Sequence, residues 1–176
     1  MHLFQAPQLN VRIVACLFLG LLLLSSACSH KSVRHLNKQI WLPDTEQSLQ
    51  MQYMRFEYQA HKGKNGIRVQ GEAQPIKASL PEWAAWSRDI WLGAYLCDKE
   101  GLVLAKDLKM LPAQEISQNQ GFSFEFQLEP KDIGTSGPVF ITFGYRLVLT
   151  AKQSEILDRE AEEKIFFASE SALDRF

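Results

Sequence analysis

The chain has 176 residues, 46% of them hydrophobic, and its 19 Lys and Arg nearly balance 20 Asp and Glu, for a net charge of −1. That length is enough for one domain that buries a core without covalent staples. The near-neutral charge argues against nucleic acid as a partner, because phosphate backbones are gripped by clustered basic residues.

At the N-terminus, Arg12 precedes an apolar run over residues 13–24 that closes on Ser25, Ser26, Ala27 and Cys28. About a dozen apolar positions is the length of a signal h-region and too short to span a bilayer. The segment resembles a bacterial lipoprotein signal peptide, departing from the commoner pattern at Ser25, where leucine is usual and Leu24 sits one place early. The resemblance implies that residues 1–27 are removed and that Cys28 is the lipidation site and the mature N-terminus. It also implies a membrane anchor through that lipid. Ser29 stands where aspartate, in enterobacterial lipoproteins, implies inner-membrane retention, so the expected location is the outer membrane, facing the periplasm.

The leader also settles the cysteines. Cys16 is lost with it, Cys28 becomes a thioether and Cys97 remains alone, so no intramolecular disulfide is available in an oxidising compartment. Cys97 sits in an apolar strand, with Lys99 already in the following turn, and is expected to be a buried, inert thiol; the alternative is a reactive or intermolecular one.

Residues 28–50 carry His30, Lys31, Arg34, His35 and Lys38 with no sustained apolar period, and are read as a tether. Beside a lipid anchor, such charges either favour anionic headgroups, by about 1 kcal/mol each, or only keep a spacer solvated. A β-sandwich domain is expected over residues 51–170, followed by a tail at 171–176. From Met54 the period becomes two: Met54, Phe56, Tyr58 and Ala60 alternate with polar residues, and Asn65-Gly66 turns the chain into a second strand with Ile67, Val69, Gly71 and Ala73 on one face. Pro75 and Pro81 bracket a linker, and Pro81 could open a short helical turn reaching Trp86. Between Asp89 and Cys97 both faces are apolar, which predicts a central strand; a turn ending at Gly101 returns it as a neighbour. Phe122, Phe124, Phe126 and Leu128 alternate with polar residues. After a Gly- and Pro-containing loop, Ile141, Phe143, Tyr145, Leu147 and Leu149 line one side of a long strand. Ser154 could cap a short helix near the C-terminus, and residues 164–168 have strand composition.

About seven short strands with scarce helix predict an all-β fold, an immunoglobulin-like antiparallel β-sandwich. An antibody-type domain is excluded because its paired cysteines are missing. Leu96, Cys97, Asp98 and the return through Gly101 to Leu104 resemble extracytoplasmic modules of bacterial lipoproteins named for a Phe-x-Leu-Tyr-Asp motif. Leu96 and Asp98 match, whereas Ala94 and Cys97 replace the motif's aromatics. That resemblance implies the fold and a mostly non-catalytic envelope role.

For catalysis the inventory is thin. His30, His35 and His61 have no metal-site spacing, so neither metal nor cofactor is expected. Gly134, Thr135, Ser136 and Gly137 lack one residue of a nucleophile elbow and are followed by a proline and a strand. Gly63 to Gly66 lacks the ending of a phosphate loop. No catalytic residue is assigned. Trp83 and Trp86, in a connecting segment, are the candidate partner contacts; the alternative is that they plug the open end of the sandwich. Arg146 is an oddity in an apolar strand, either pairing with Asp89 or Asp98 or facing solvent. The sequence thus predicts a lipid-anchored, non-catalytic binding or assembly module whose partner is another envelope protein, or alternatively a periplasmic carrier of a small apolar ligand or lipid.

Overall fold

The computed structural model describes residues 30–116, 121–130, 137–153 and 164–175. Outside them lie the expected leader at residues 1–27, Cys28, the segment 134–136 and the stretch 154–163 where a short helix is expected. In chain order the strands are β1 (His30–Ser32), β2 (Gln39–Ile40), β3 (Glu46–Gln50), β4 (Met54–Lys62), β5 (Ile67–Pro75) and β6 (Trp86–Cys97). They continue as β7 (Val103–Leu111), β8 (Gln114–Glu115), β9 (Phe122–Leu128), β10 (Phe140–Thr150), β11 (Phe166–Glu170) and β12 (Leu173–Arg175).

All these strands pair antiparallel, in two packed sheets and a ribbon. One sheet has the order β3-β4-β5-β9. The other runs β11-β10-β6-β7, with β2 added at the start of β10 and β8 at the start of β6. β1 and β12 form a separate two-stranded ribbon. The protein is therefore an all-β antiparallel sandwich.

Period-two patterning explains the four-stranded sheet directly. In β9 the burial alternates without a fault, Phe122, Phe124, Phe126 and Leu128 inward and Ser123, Glu125 and Gln127 in water. Those inner faces meet around Phe143 of β10. Its ring stacks on Phe56 of β4 at 4.3 Å and 6°, takes Tyr58 edge-on at 4.9 Å and touches Phe124 at 5.5 Å. Phe56, Phe126, Phe143, Leu92, Leu96, Ile141 and Leu147 are wholly buried there. β6 is central as expected, between β10 and β7, and it starts at Trp86 rather than Asp89. The connection before it is a turn closed by Ala84 N–H donating to the Pro81 carbonyl at 3.0 Å, and the 3₁₀ turn falls earlier, at Lys77–Ser79.

The expected tether at residues 28–50 is corrected from His30 onward. This stretch supplies three strands, one to each sheet and one to the ribbon, and it buries Val33, Leu36 and Leu49. Its strands are two to five residues long, too short to display a period, and β3 is an edge strand that buries only Leu49. The expected tail is corrected in the same way: Leu173–Arg175 is β12, paired with β1. Val33 N–H donates to the Gly101 carbonyl at 2.8 Å, and Gly101 itself adopts φ 80° with the Arg34 backbone where a side chain would stand. Only glycine fits that turn, because L-residues resist this region and the N-terminal chain passes over it.

A clamp closes the sandwich beside β11. The Tyr145 hydroxyl donates to Glu170 Oε2 at 2.6 Å and accepts from Tyr53 N–H at 3.1 Å, while Gln52 N–H donates to the same carboxylate oxygen at 3.0 Å. One side chain from β10 thereby joins the β3–β4 connection to the edge strand.

Candidate binding face

The outer face of the six-stranded sheet carries side chains that the core does not use. Register places Arg146 of β10 opposite Trp91 of β6, and Trp91 opposite Met110 of β7. The Arg146 guanidinium lies 5.7 Å from the Trp91 ring centroid, within range of a cation–π contact worth about 0.5–1 kcal/mol at an exposed site. Met110 is 67% exposed beside that ring, and Phe167 of β11, 62% exposed, stands opposite Val148 on the far side of β10. Arg146, Met110 and Phe167 are exposed and Trp91 is half-buried among them; together they form the first part of the face.

One step further along the strands, Gly93 and Gly144 face each other, and neither raises a side chain above the sheet. A Cβ on Gly144 would stand 2.8 Å from the Glu170 carbonyl oxygen and 3.2 Å from Ser171 Cα, because the chain leaving β11 crosses the sheet there. That crossing delivers β12 to β1. Beyond it, Ala172 N–H reaches the Tyr95 hydroxyl at 3.5 Å, and a hollow of about 380 Å³ remains between Lys31, Tyr95, Lys106, Leu108, Ser171 and Ala172. The outer face is thus divided: its Arg146–Trp91–Met110 part is open, and its Tyr95 part lies under the ribbon.

The four-stranded sheet presents a different surface. A groove there is lined by Glu46, Ser48, Glu57, Gln59 and Gln70, and a second hollow gathers Lys62, Lys64, Arg68 and Glu129 around the β4–β5 loop. His61 Nδ1 stands 2.6 Å from Asp44 Oδ1 in an exposed pair. Among the described residues no group of three His, Cys, Asp or Glu comes together, and no helix is long and apolar enough to cross a membrane.

Burial favours the protonated forms of Cys97, Tyr58 and Tyr145. Burial pushes the Cys97 thiol up to about 11, with Lys38 opposing and Asp98 reinforcing the shift. Cys97 is free and has no exposed surface, the setting of an inert thiol. Burial also raises Tyr58 and Tyr145 well above the ordinary tyrosine range, and for Tyr145 the hydrogen bond to Glu170 adds to the effect.

Of the residues singled out from the sequence, Trp83 is half-buried and packs against the hydrophobic core. Trp86 is half-buried at the start of β6, opposite Thr150 and Glu115. Neither belongs to the Arg146–Trp91–Met110 group. Cys28 lies outside the described residues. The missed members, Met110 and Phe167, stand in strands of mixed composition; their signal was an apolar residue on a solvent-facing position, visible only once strand register is known. Comparison with protein-family models, curated proteins and solved structures finds no match to this chain.

Proposed function

We propose that this chain is a lipid-anchored protein of the bacterial cell envelope, held through Cys28 in the outer membrane and facing the periplasm. Its sandwich, read as immunoglobulin-like, is a non-catalytic binding module that meets another envelope protein through the open outer face of the six-stranded sheet. The observation that carries this reading is Arg146 laid over Trp91 beside the exposed Met110. Tryptophan, arginine and methionine are the side chains enriched where proteins bind, and an arginine already oriented by a ring loses little freedom on contact.

The β6–β7 hairpin supports the likeness to Phe-x-Leu-Tyr-Asp modules. Asp98 Oδ1 accepts Leu102 N–H at 2.8 Å, so an acidic residue closes the turn at the end of a central strand. A carrier would need space between the sheets where the Phe56 and Phe143 rings stack, which favours binding at the outside.

The test places a photo-crosslinking residue at Met110, or at Gln70 on the other sheet, in the full chain within a bacterial envelope. A discrete protein adduct from position 110 and none from 70 is expected; no adduct at 110, or the same adducts at both, would overturn the binding face. Separately, Cys28→Ala should abolish lipid labelling, and persistent labelling would end the lipoprotein assignment.

A further inference from the structure

We infer that the domain has no tether and rests on the bilayer itself, touching lipid headgroups through the corner where the β1–β12 ribbon meets β7. The inference rests on the lipid anchor at Cys28 proposed above and adds what that anchor would hold against the membrane. Cys28 is followed by only one residue before His30, where β1 begins. Two residue steps of fully extended chain span about 7 Å. The headgroup layer on each side of a bilayer is of similar depth, about 5–8 Å, from a total thickness of about 40–45 Å over a core of about 30 Å.

His30 therefore cannot stand off from the surface, and it does not move independently of the fold. β1 is paired over its whole length with β12, Lys31 lies 3.0 Å from Asp174, and the next residue, Val33, is buried and bonded to Gly101. Whatever surrounds β1 is carried to the headgroups with it.

The chemistry of that corner suits the location. Leu173, opposite Ser32 in the ribbon, is 59% exposed, and Leu108, which borders the same hollow as Lys31 and Lys106, is 53% exposed. A leucine beside a lysine matches the headgroup layer: the exposed Lys106 ammonium faces lipid phosphates while Leu108 and Leu173 enter the acyl boundary, Lys31 being paired with Asp174. Both acidic neighbours are engaged within the protein: Asp174 lies 3.0 Å from Lys31, and Asp107 accepts Leu108 N–H at 2.8 Å and Gln127 N–H at 3.0 Å. The functional consequence is short reach: a partner of the Arg146–Trp91–Met110 face must itself lie close to the membrane.

The experiment uses the full chain, processed in a bacterial host and reconstituted into vesicles of phosphatidylethanolamine and phosphatidylglycerol. Leu108→Cys, Leu173→Cys and Gln70→Cys variants are labelled with a bimane, Cys97 being buried, and the vesicles carry a headgroup nitroxide quencher. Gln70 is exposed on the opposite sheet and serves as the reference. Several-fold stronger quenching at 108 and 173 than at 70 is expected. Equal quenching at all three positions, with mass spectrometry showing an acylated Cys28, would overturn the docked corner and leave the anchor standing. A Cys28 without acyl chains would overturn both.

Discussion

Two tyrosines buried to a similar degree offer a matched test of how the interior is satisfied. Tyr58 and Tyr145 both point into the sandwich and both lose a hydroxyl on substitution by phenylalanine, with the ring kept. The Tyr145 hydroxyl has two partners, Glu170 and Tyr53 N–H, whereas the Tyr58 hydroxyl has none among the described residues. Tyr145→Phe removes a bond to a carboxylate, worth about 1.5–3 kcal/mol, and strips a partner from Tyr53 N–H; a cost of about 2–3 kcal/mol follows. Tyr58→Phe instead deletes a buried polar group whose desolvation is uncompensated, a penalty of about 1–3 kcal/mol, so the change should stabilise by about 1 kcal/mol. At about 2–4 °C per kcal/mol for a domain of this size, thermal unfolding should fall by about 5–10 °C for Tyr145→Phe and rise by about 2–4 °C for Tyr58→Phe. Circular dichroism melts of the two variants, checked by urea midpoints, read both signs. A loss at Tyr58 equal to that at Tyr145 would refute the reasoning, showing that the Tyr58 hydroxyl is bonded in solution, as to a buried water.

The same groups set an alkaline limit. Cys97, Tyr58 and Tyr145 are all raised in the folded state, so they stabilise it fully below their unfolded values of about 8.5–10 and lose that contribution as pH climbs. Urea midpoints should hold to about pH 8.5 and decline above it, with two tyrosines absent from the tyrosinate absorbance titration until unfolding; early titration of all tyrosines would contradict this. Cys97 should react with a thiol reagent only at the rate of unfolding, and fast modification of native protein would show an open thiol. Phe143→Ala, which removes the ring bridging both sheets, should cost about 3–5 kcal/mol by cavity formation. Trp83→Ala should also lower the melting temperature, since Trp83 packs against the core; an unchanged melt would restore it as a contact for a partner.

Local pattern alone determined much of this protein. The two-residue alternation in β4, β5 and β9 fixes which side chains face inward, because a strand has only two faces and the apolar one must be covered. The doubly apolar run in β6 likewise marks a central strand. Tertiary structure decided the rest. β1, β2, β3 and β12 are short or polar edge pieces whose pairing depends on a partner distant in sequence, so Lys31 and Arg34 read as spacer charges while their backbone is fixed in the fold or against it. The meeting of Arg146, Trp91 and Met110 is also invisible in the chain, for they lie on three strands and only register aligns them. Trp83 and Trp86 drew attention from the sequence because tryptophan is large and rare; how much of each ring the fold covers is set by neighbours that the sequence does not name.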